Sequence, residues 1–280
     1  MSINYLTRTF PVSADIDGAG SGGTEVTSNS YKYHTFTSSG TFTVTQPGKF
    51  EVLIVGAGGA GQSANNSGGG GGGAGAVQSH TVYFPTGDKT VTIGAGGTGS
   101  ANGSSTTVAS LTAMGGGTMI GGAASNTYPG QGACGAGRWG DNFTYSAKAT
   151  NGLEGNNGGG SVGSTVNDNN RAGGGGGGQG SDGYNASTAV GGNGGDGINT
   201  YATWHTATST GVSGYIAGGG GGSSPSSGAG TGGSGGGGNA ASGGGGGAGT
   251  ANTGSGGGAN SDTSAGGNGG SGLVIIRYAV

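Results

Sequence analysis

Apolar and polar positions alternate through the first third of the chain. Tyr31-Lys32-Tyr33-His34-Thr35-Phe36-Thr37 has period two, turns at Ser38-Ser39-Gly40, and resumes as Thr41-Phe42-Thr43-Val44. Pro47-Gly48 leads into the apolar run Phe50-Glu51-Val52-Leu53-Ile54-Val55. Residues 77–84 follow, then a Pro85-Thr86-Gly87-Asp88 turn, residues 89–93, and two short stretches, Thr106-Thr107-Val108 and Leu111-Thr112-Ala113-Met114. Strand-length runs with period two, β-branched and aromatic residues and Gly/Pro turns predict an antiparallel sheet or small sandwich. One further apolar run, Leu273-Val274-Ile275-Ile276-Arg277-Tyr278, stands at the other end of the chain. If it pairs with residues 50–55 in one sheet, everything between them is a closed excursion.

That excursion is glycine. Of 280 residues 82 are glycine, and the clearest tracts run at 68–75, 173–178, 218–222, 235–238, 243–249 and 256–258, each interrupted at most once. Glycine costs about 1 kcal/mol per residue in a helix interior, so no helix is expected over residues 115–271. The choice lies between a flexible chain and backbone packed on backbone. Tracts of similar length, separated by segments of different character and bracketed by two apolar strands, favour packing. Polyproline-II geometry suits it, with three residues per turn, a rise of 3.1 Å and every N–H and C=O pointing outward to a neighbouring tract. An eight-residue tract would span roughly 25 Å. Replacing Gly176 or Gly246 with Val should then wedge tracts apart. The fold class expected is mainly β and irregular, a small sheet or sandwich carrying a polyglycine bundle, with essentially no α-helix. Residues 1–30 read as an arm or attachment segment with a linker at Asp17-Gly18-Ala19-Gly20-Ser21-Gly22-Gly23, residues 31–114 plus 272–280 as the β domain, and residues 115–271 as the bundle.

Charge removes several classes of function. Eight Lys and Arg residues and a net charge of −3 leave no basic patch to neutralise phosphates, so nucleic acid is not expected as a partner. No apolar run approaches the roughly 20 residues of a membrane span, and the opening residues lack the pattern of a secretory signal. Cys134 is the single cysteine and reads as a small residue in a Gly/Ala stretch.

Two connectors differ from the plain Ser/Asn/Ala turns. One, about 126–154, holds Tyr128, Arg138, Trp139, Asn142, Phe143 and Tyr145; the other, about 198–216, holds Tyr201, Trp204, His205 and Tyr215. Both tryptophans of the chain lie in these segments. Aromatic side chains on loops of a rigid scaffold suit recognition. The alternative is that they cap the bundle end. The recognition reading expects Trp139, Tyr145, Tyr201 and Trp204 to be exposed, and the two connectors to meet at one end of the bundle.

Phe36-Thr37-Ser38-Ser39-Gly40-Thr41-Phe42-Thr43-Val44, Val52-Leu53-Ile54-Val55-Gly56-Ala57-Gly58-Gly59 and Gly269-Gly270-Ser271-Gly272-Leu273-Val274-Ile275-Ile276-Arg277-Tyr278 resemble the glycine-rich domain of phage tail-fibre and related virion proteins. The interior resembles, in composition and layout, the polyglycine-II receptor-binding domain of T-even-type long-tail-fibre adhesins. The resemblance implies a virion protein made in the host cytoplasm. It implies a host surface receptor, an outer-membrane protein or a glycan, met by distal loops. Other virion proteins, through residues 1–30, and a homotrimer stand as further partner expectations. A structural virion component (shaft, capsid decoration or adaptor) is the alternative.

Two motifs tempt. Gly56-Ala57-Gly58-Gly59-Ala60-Gly61 fits the dinucleotide pattern, but that pattern works only where a helix begins, and none can start at Gln62-Ser63-Ala64-Asn65-Asn66-Ser67. Residues 191–199, with Asp196, and 177–185, with Asp182, fit a calcium nonapeptide, which needs tandem copies that are absent here. No cofactor is expected, with calcium at Asp182 or Asp196 as the one candidate. His34, His80 and His205 are far apart and the carboxylates scattered, so a binding protein rather than an enzyme is expected.

Overall fold

The computed structural model describes residues 16–119, 132–140, 152–163, 170–226 and 228–280. Among the described residues ten strands form two antiparallel five-stranded sheets. They are β1 (Ala19–Ser21), β2 (Thr24–Ser28), β3 (Tyr31–Phe36), β4 (Gly40–Gln46), β5 (Gly48–Val55), β6 (Val77–Phe84), β7 (Gly87–Thr92), β8 (Thr106–Val108), β9 (Leu111–Ala113) and β10 (Leu273–Ala279). One sheet runs β2-β3-β10-β5-β6, the other β1-β4-β7-β8-β9. The apolar run at the end of the chain does pair with residues 50–55: β10 lies between β3 and β5, with Leu273 opposite Val55 and Ile276 opposite Val52.

Period two decides the core. Phe50, Val52 and Ile54 of β5 face Phe42, Val44, Val91 and Val108 across the sandwich, with Val274, Ile276 and Tyr278 beside them. The alternate residues Leu53, Val55, Leu273 and Ile275 point to the outer face, where Trp204 and Ile216 cover them. Burial on both faces is why β5 reads as a continuous apolar run rather than an alternation.

Two segments depart from expectation. Asp17–Gly23 is not a linker: β1 pairs with β4, and Asp17 bridges to Lys49. The glycines that suggested a linker permit this pairing, since a Cβ on Gly18 or Gly20 would strike the rings of Phe50 and Phe42. Within the region expected to hold no helix, α1 (Ala202–Thr208) forms. Its Ala/Thr sequence is a weak helix former, and it stands because Trp204 and His205 are buried beneath it.

The glycine tracts continue the sandwich along its strands. The 68–76 tract is its axis. The N–H groups of Gly71 and Ala74 donate to Gly174 and Gly177, those of Gly72 and Gly75 to Gly257 and Gly254, and those of Gly73 and Ala76 to Gly117 and Met114. Its carbonyls accept from Gly140, Gly137 and Cys134, from Ser223 and Gly220, and from Gln62, Gly59 and Gly56. Each neighbour is met at every third residue, the period of a threefold polyproline-II helix, and six tracts surround the axis. These bonds measure 2.8–3.1 Å. A side chain has no room between such tracts: a Cβ on Gly72 would come closer than 3.0 Å to the Gly59 carbonyl oxygen.

Strand register passes into tract register without a slip. The β5–β6 ladder sets Val55 opposite Val77, and the same alignment bonds Gly56 to Ala76, Gly59 to Gly73 and Gln62 to Gly70. The β5–β10 ladder continues as Gly58 to Gly270 and Gly61 to Gly267. The β8–β9 alignment continues as Gly103 to Gly116. The apolar strands therefore align the featureless tracts, which carry no side-chain pattern to fix register themselves.

Candidate functional site

The continuous register gives the molecule two poles. Ile16, whose carbonyl accepts the Lys49 N–H, and Val280, whose N–H donates to Ser30, lie at the sandwich pole away from the tracts. At the opposite pole the described chain reverses in short turns around Ser63–Ser67, Ser187–Val190, Ser223–Ser226 and Ser261–Ser264. The strands and the tracts each contribute roughly 25 Å to the separation.

Trp139 of the first aromatic connector and Trp204 of the second lie in different parts of the molecule. Gly140 pairs with Gly68 at the far end of the 68–76 tract, which puts Trp139 and Arg138 near that end. Trp139 is half-buried and its backbone N–H donates to Met119 Sδ at 3.1 Å. The Trp139 indole Nε1 and the Arg138 Nε are buried without a hydrogen-bond partner. Tyr128, Phe143 and Tyr145 lie outside the described residues. The other connector folds over the sandwich. The expected exposure of Trp204 fails: it is 6 % exposed, and packs on Tyr33, with ring centroids 6.2 Å apart. Tyr201 lies edge-on against Trp204 at 5.9 Å, and Tyr215 pairs back to Val212 in the turn that leads to Ile216. His205 is buried, its Nδ1 at 2.9 Å from Thr210 Oγ1, and burial holds its pKa down at about 4. This connector caps the outer face of the β2-β3-β10-β5-β6 sheet. The physical reason is the apolar face itself, Leu53, Val55, Leu273 and Ile275, which needs a cover.

Arg277 completes that cap. Its guanidinium lies 4.0 Å from the Tyr31 ring and 4.1 Å from the Trp204 ring, and Nη2 pairs with Glu51 at 2.6 Å. A stacked, ion-paired arginine holds the Trp204 ring in place.

The aspartates read as calcium candidates hold backbone. Asp182 Oδ1 accepts the Asn157 N–H at 2.8 Å, and Asp196 Oδ1 accepts that of Ser234 at 2.9 Å. Three residues from each, Asn185 takes the Gly160 N–H and Asn193 that of Thr231. An Asn or Asp every third residue along an outer tract thus supplies the carbonyl that a further tract would supply in the interior. Sequence reasoning missed this, although the three-residue spacing of Asp182 with Asn185, and of Asn193 with Asp196, carried the signal. No group of three or more His, Cys, Asp or Glu side chains among the described residues is placed to hold a metal ion. Residues 56–61 form an inner tract, and Cys134 is sealed in the bundle, its thiol pushed up to about 12 by burial. A cleft of about 440 Å³ between β2 and α1 is lined by Val26, Asn29, Thr203 and Thr206 among others, with no titratable group.

Compared with known families, the chain matches the glycine-rich domain over residues 37–279. It belongs to the glycine-rich domain family. The match takes in β4 to β10 and every described glycine tract, so strands of both sheets and the bundle fall within one match, while β1 to β3 lie before it. No curated protein matches the chain.

Proposed function

We propose that this glycine-rich domain is a phage tail-fibre adhesin that binds a host-cell surface receptor with the far end of its bundle. The observation that carries the reading is the polarity of the molecule. The chain enters and leaves the described fold at the sandwich pole, while the tract turns, with Trp139 near them, lie at the other. A lattice of backbone hydrogen bonds is stiff, and turns held on a stiff support lose little entropy on binding. Attachment to other virion proteins belongs at the sandwich pole. The partner is a surface protein or glycan, the protein is not an enzyme, and its location is the virion.

The second reading is a structural virion component. Burial of Trp204 and His205 favours it, because half of the aromatic set is a cap rather than a surface. Trp139→Ala separates the two. The adhesin reading expects lost adsorption to host cells with an unchanged melt and assembled particles. Normal adsorption of that variant would overturn it. Trp204→Ala is the structural control and should instead lower the melting temperature, since truncating a buried Trp costs about 3–5 kcal/mol.

A further inference from the structure

The flank of the bundle carries a second surface, which runs up to the Ser187–Val190 turn. Four tracts lie side by side there. Gly183 and Ala186 donate to Asn157 and Gly160, Tyr184 donates to Asn193, and Gly194 and Gly197 donate to Thr231 and Ser234. Tyr184 is 57 % exposed on the second of these tracts, with its backbone N–H and C=O both held in the lattice. On one side stand Asp182 and Asn185, on the other Asn193 and Asp196.

The hydrogen bonds orient these side chains. Asn185 and Asn193 each hold Oδ1 on a backbone N–H, at 2.6 and 2.9 Å, which turns the two Nδ2 donors away from the bundle. Asp182 and Asp196 likewise keep one oxygen on backbone N–H groups and present the other. An exposed tyrosine on a tract edged by fixed amide donors and carboxylate acceptors matches a sugar ring, which offers an apolar C–H face and hydroxyls that both donate and accept. The two carboxylates disfavour an acidic sugar. We propose that this flank is a binding site for a neutral glycan, with Tyr184 as the stacking platform and Asn185, Asn193, Asp182 and Asp196 as hydroxyl partners. The site borders the far pole, since Asn185 stands two residues before the Ser187–Val190 turn, but Trp139 is not part of it, so Tyr184→Ala and Trp139→Ala report on this site and on the adhesin reading separately.

Saturation-transfer NMR on the full chain tests it, with methyl pyranosides of glucose, galactose, mannose and N-acetylglucosamine as probes and methyl glucuronoside as the acidic control. At least one neutral probe should give a signal, and the acidic one a weaker signal. Tyr184→Ala should abolish the signal, and Tyr184→Phe should keep it. Asn193→Asp keeps the oxygen that holds Thr231 but loses the donors, and should weaken binding about five-fold, the worth of roughly one hydrogen bond. Silence from every neutral probe, an equal response to the acidic one, or an undiminished signal in Tyr184→Ala would each overturn the proposal. Tyr184→Phe with a wild-type melt but no signal would do so as well.

Discussion

Gly176→Ala adds one methyl group to the middle of the lattice. Gly176 donates to Gly220 at 2.8 Å and accepts from Gly195 at 2.9 Å. A Cβ there would sit closer than 3.0 Å to the carbonyl oxygen and carbon of Gly72, both backbone atoms that no rotamer change can move. Relief requires the 68–76 and 171–180 tracts to separate. They are joined by Gly71 to Gly174 at 3.1 Å and Ala74 to Gly177 at 3.0 Å. Losing two such bonds costs about 2 kcal/mol, and overpacking adds about 1–3 kcal/mol. The stiffer unfolded chain returns about 0.4–1 kcal/mol. The net expectation is a loss of about 2–5 kcal/mol, read as a lower midpoint in equilibrium denaturation at unchanged slope. Gly243→Ala is the matched control. Its Cβ would meet only Asp262 Oδ2, at 3.4 Å, and its φ is not positive. That variant should be neutral or slightly stabilised. A Gly176→Ala midpoint equal to that of Gly243→Ala would refute close backbone packing.

Acid should weaken the fold through His205. Its pKa falls from 6.5 to about 4 on burial, so its contribution is fully present above pH 6.5 and is lost as pH drops from 6.5 toward 4, by up to about 3 kcal/mol. Denaturation midpoints at pH 7 and pH 4.5 should differ less in His205→Asn than in the wild type; an equal difference would exclude His205 as a source. The outer-tract caps make a second prediction: Asn193→Ala leaves the Thr231 N–H without its acceptor and should cost about 1 kcal/mol. Adding Thr231→Pro removes that N–H in a backbone geometry that proline favours, and should recover part of the loss in thermal melts. No recovery would mean the cap acts otherwise.

The strands were legible because period two and apolar content are local signals. β3, β5, β6 and β10 were each marked by their own residues, and the β5–β10 pairing followed from there being two such runs. β1 was hidden because Gly18 and Gly20, placed to let backbone lie on Phe50 and Phe42, have the composition of a linker. α1 was hidden because its stability is tertiary: nothing in Ala202–Thr208 says that an apolar sheet face waits beneath Trp204. The separation of Trp139 from Trp204 was invisible for a related reason. Which end of the bundle a connector reaches depends on the direction of each tract, and glycine carries no mark of direction. The rim caps were legible only as a spacing, because Asp and Asn accept a backbone N–H as readily as they meet a cation and the spacing alone does not name the partner.

The central claim is that register set by apolar strands propagates through glycine tracts as one cooperative lattice. Native-state amide hydrogen exchange, resolved by residue, tests it most directly. The account predicts that Gly71 through Ala76 open with free energies within about 1 kcal/mol of those for Val52 through Val55, because the same alignment holds both. Fast exchange throughout the 68–76 tract beside protected β5 amides would contradict it.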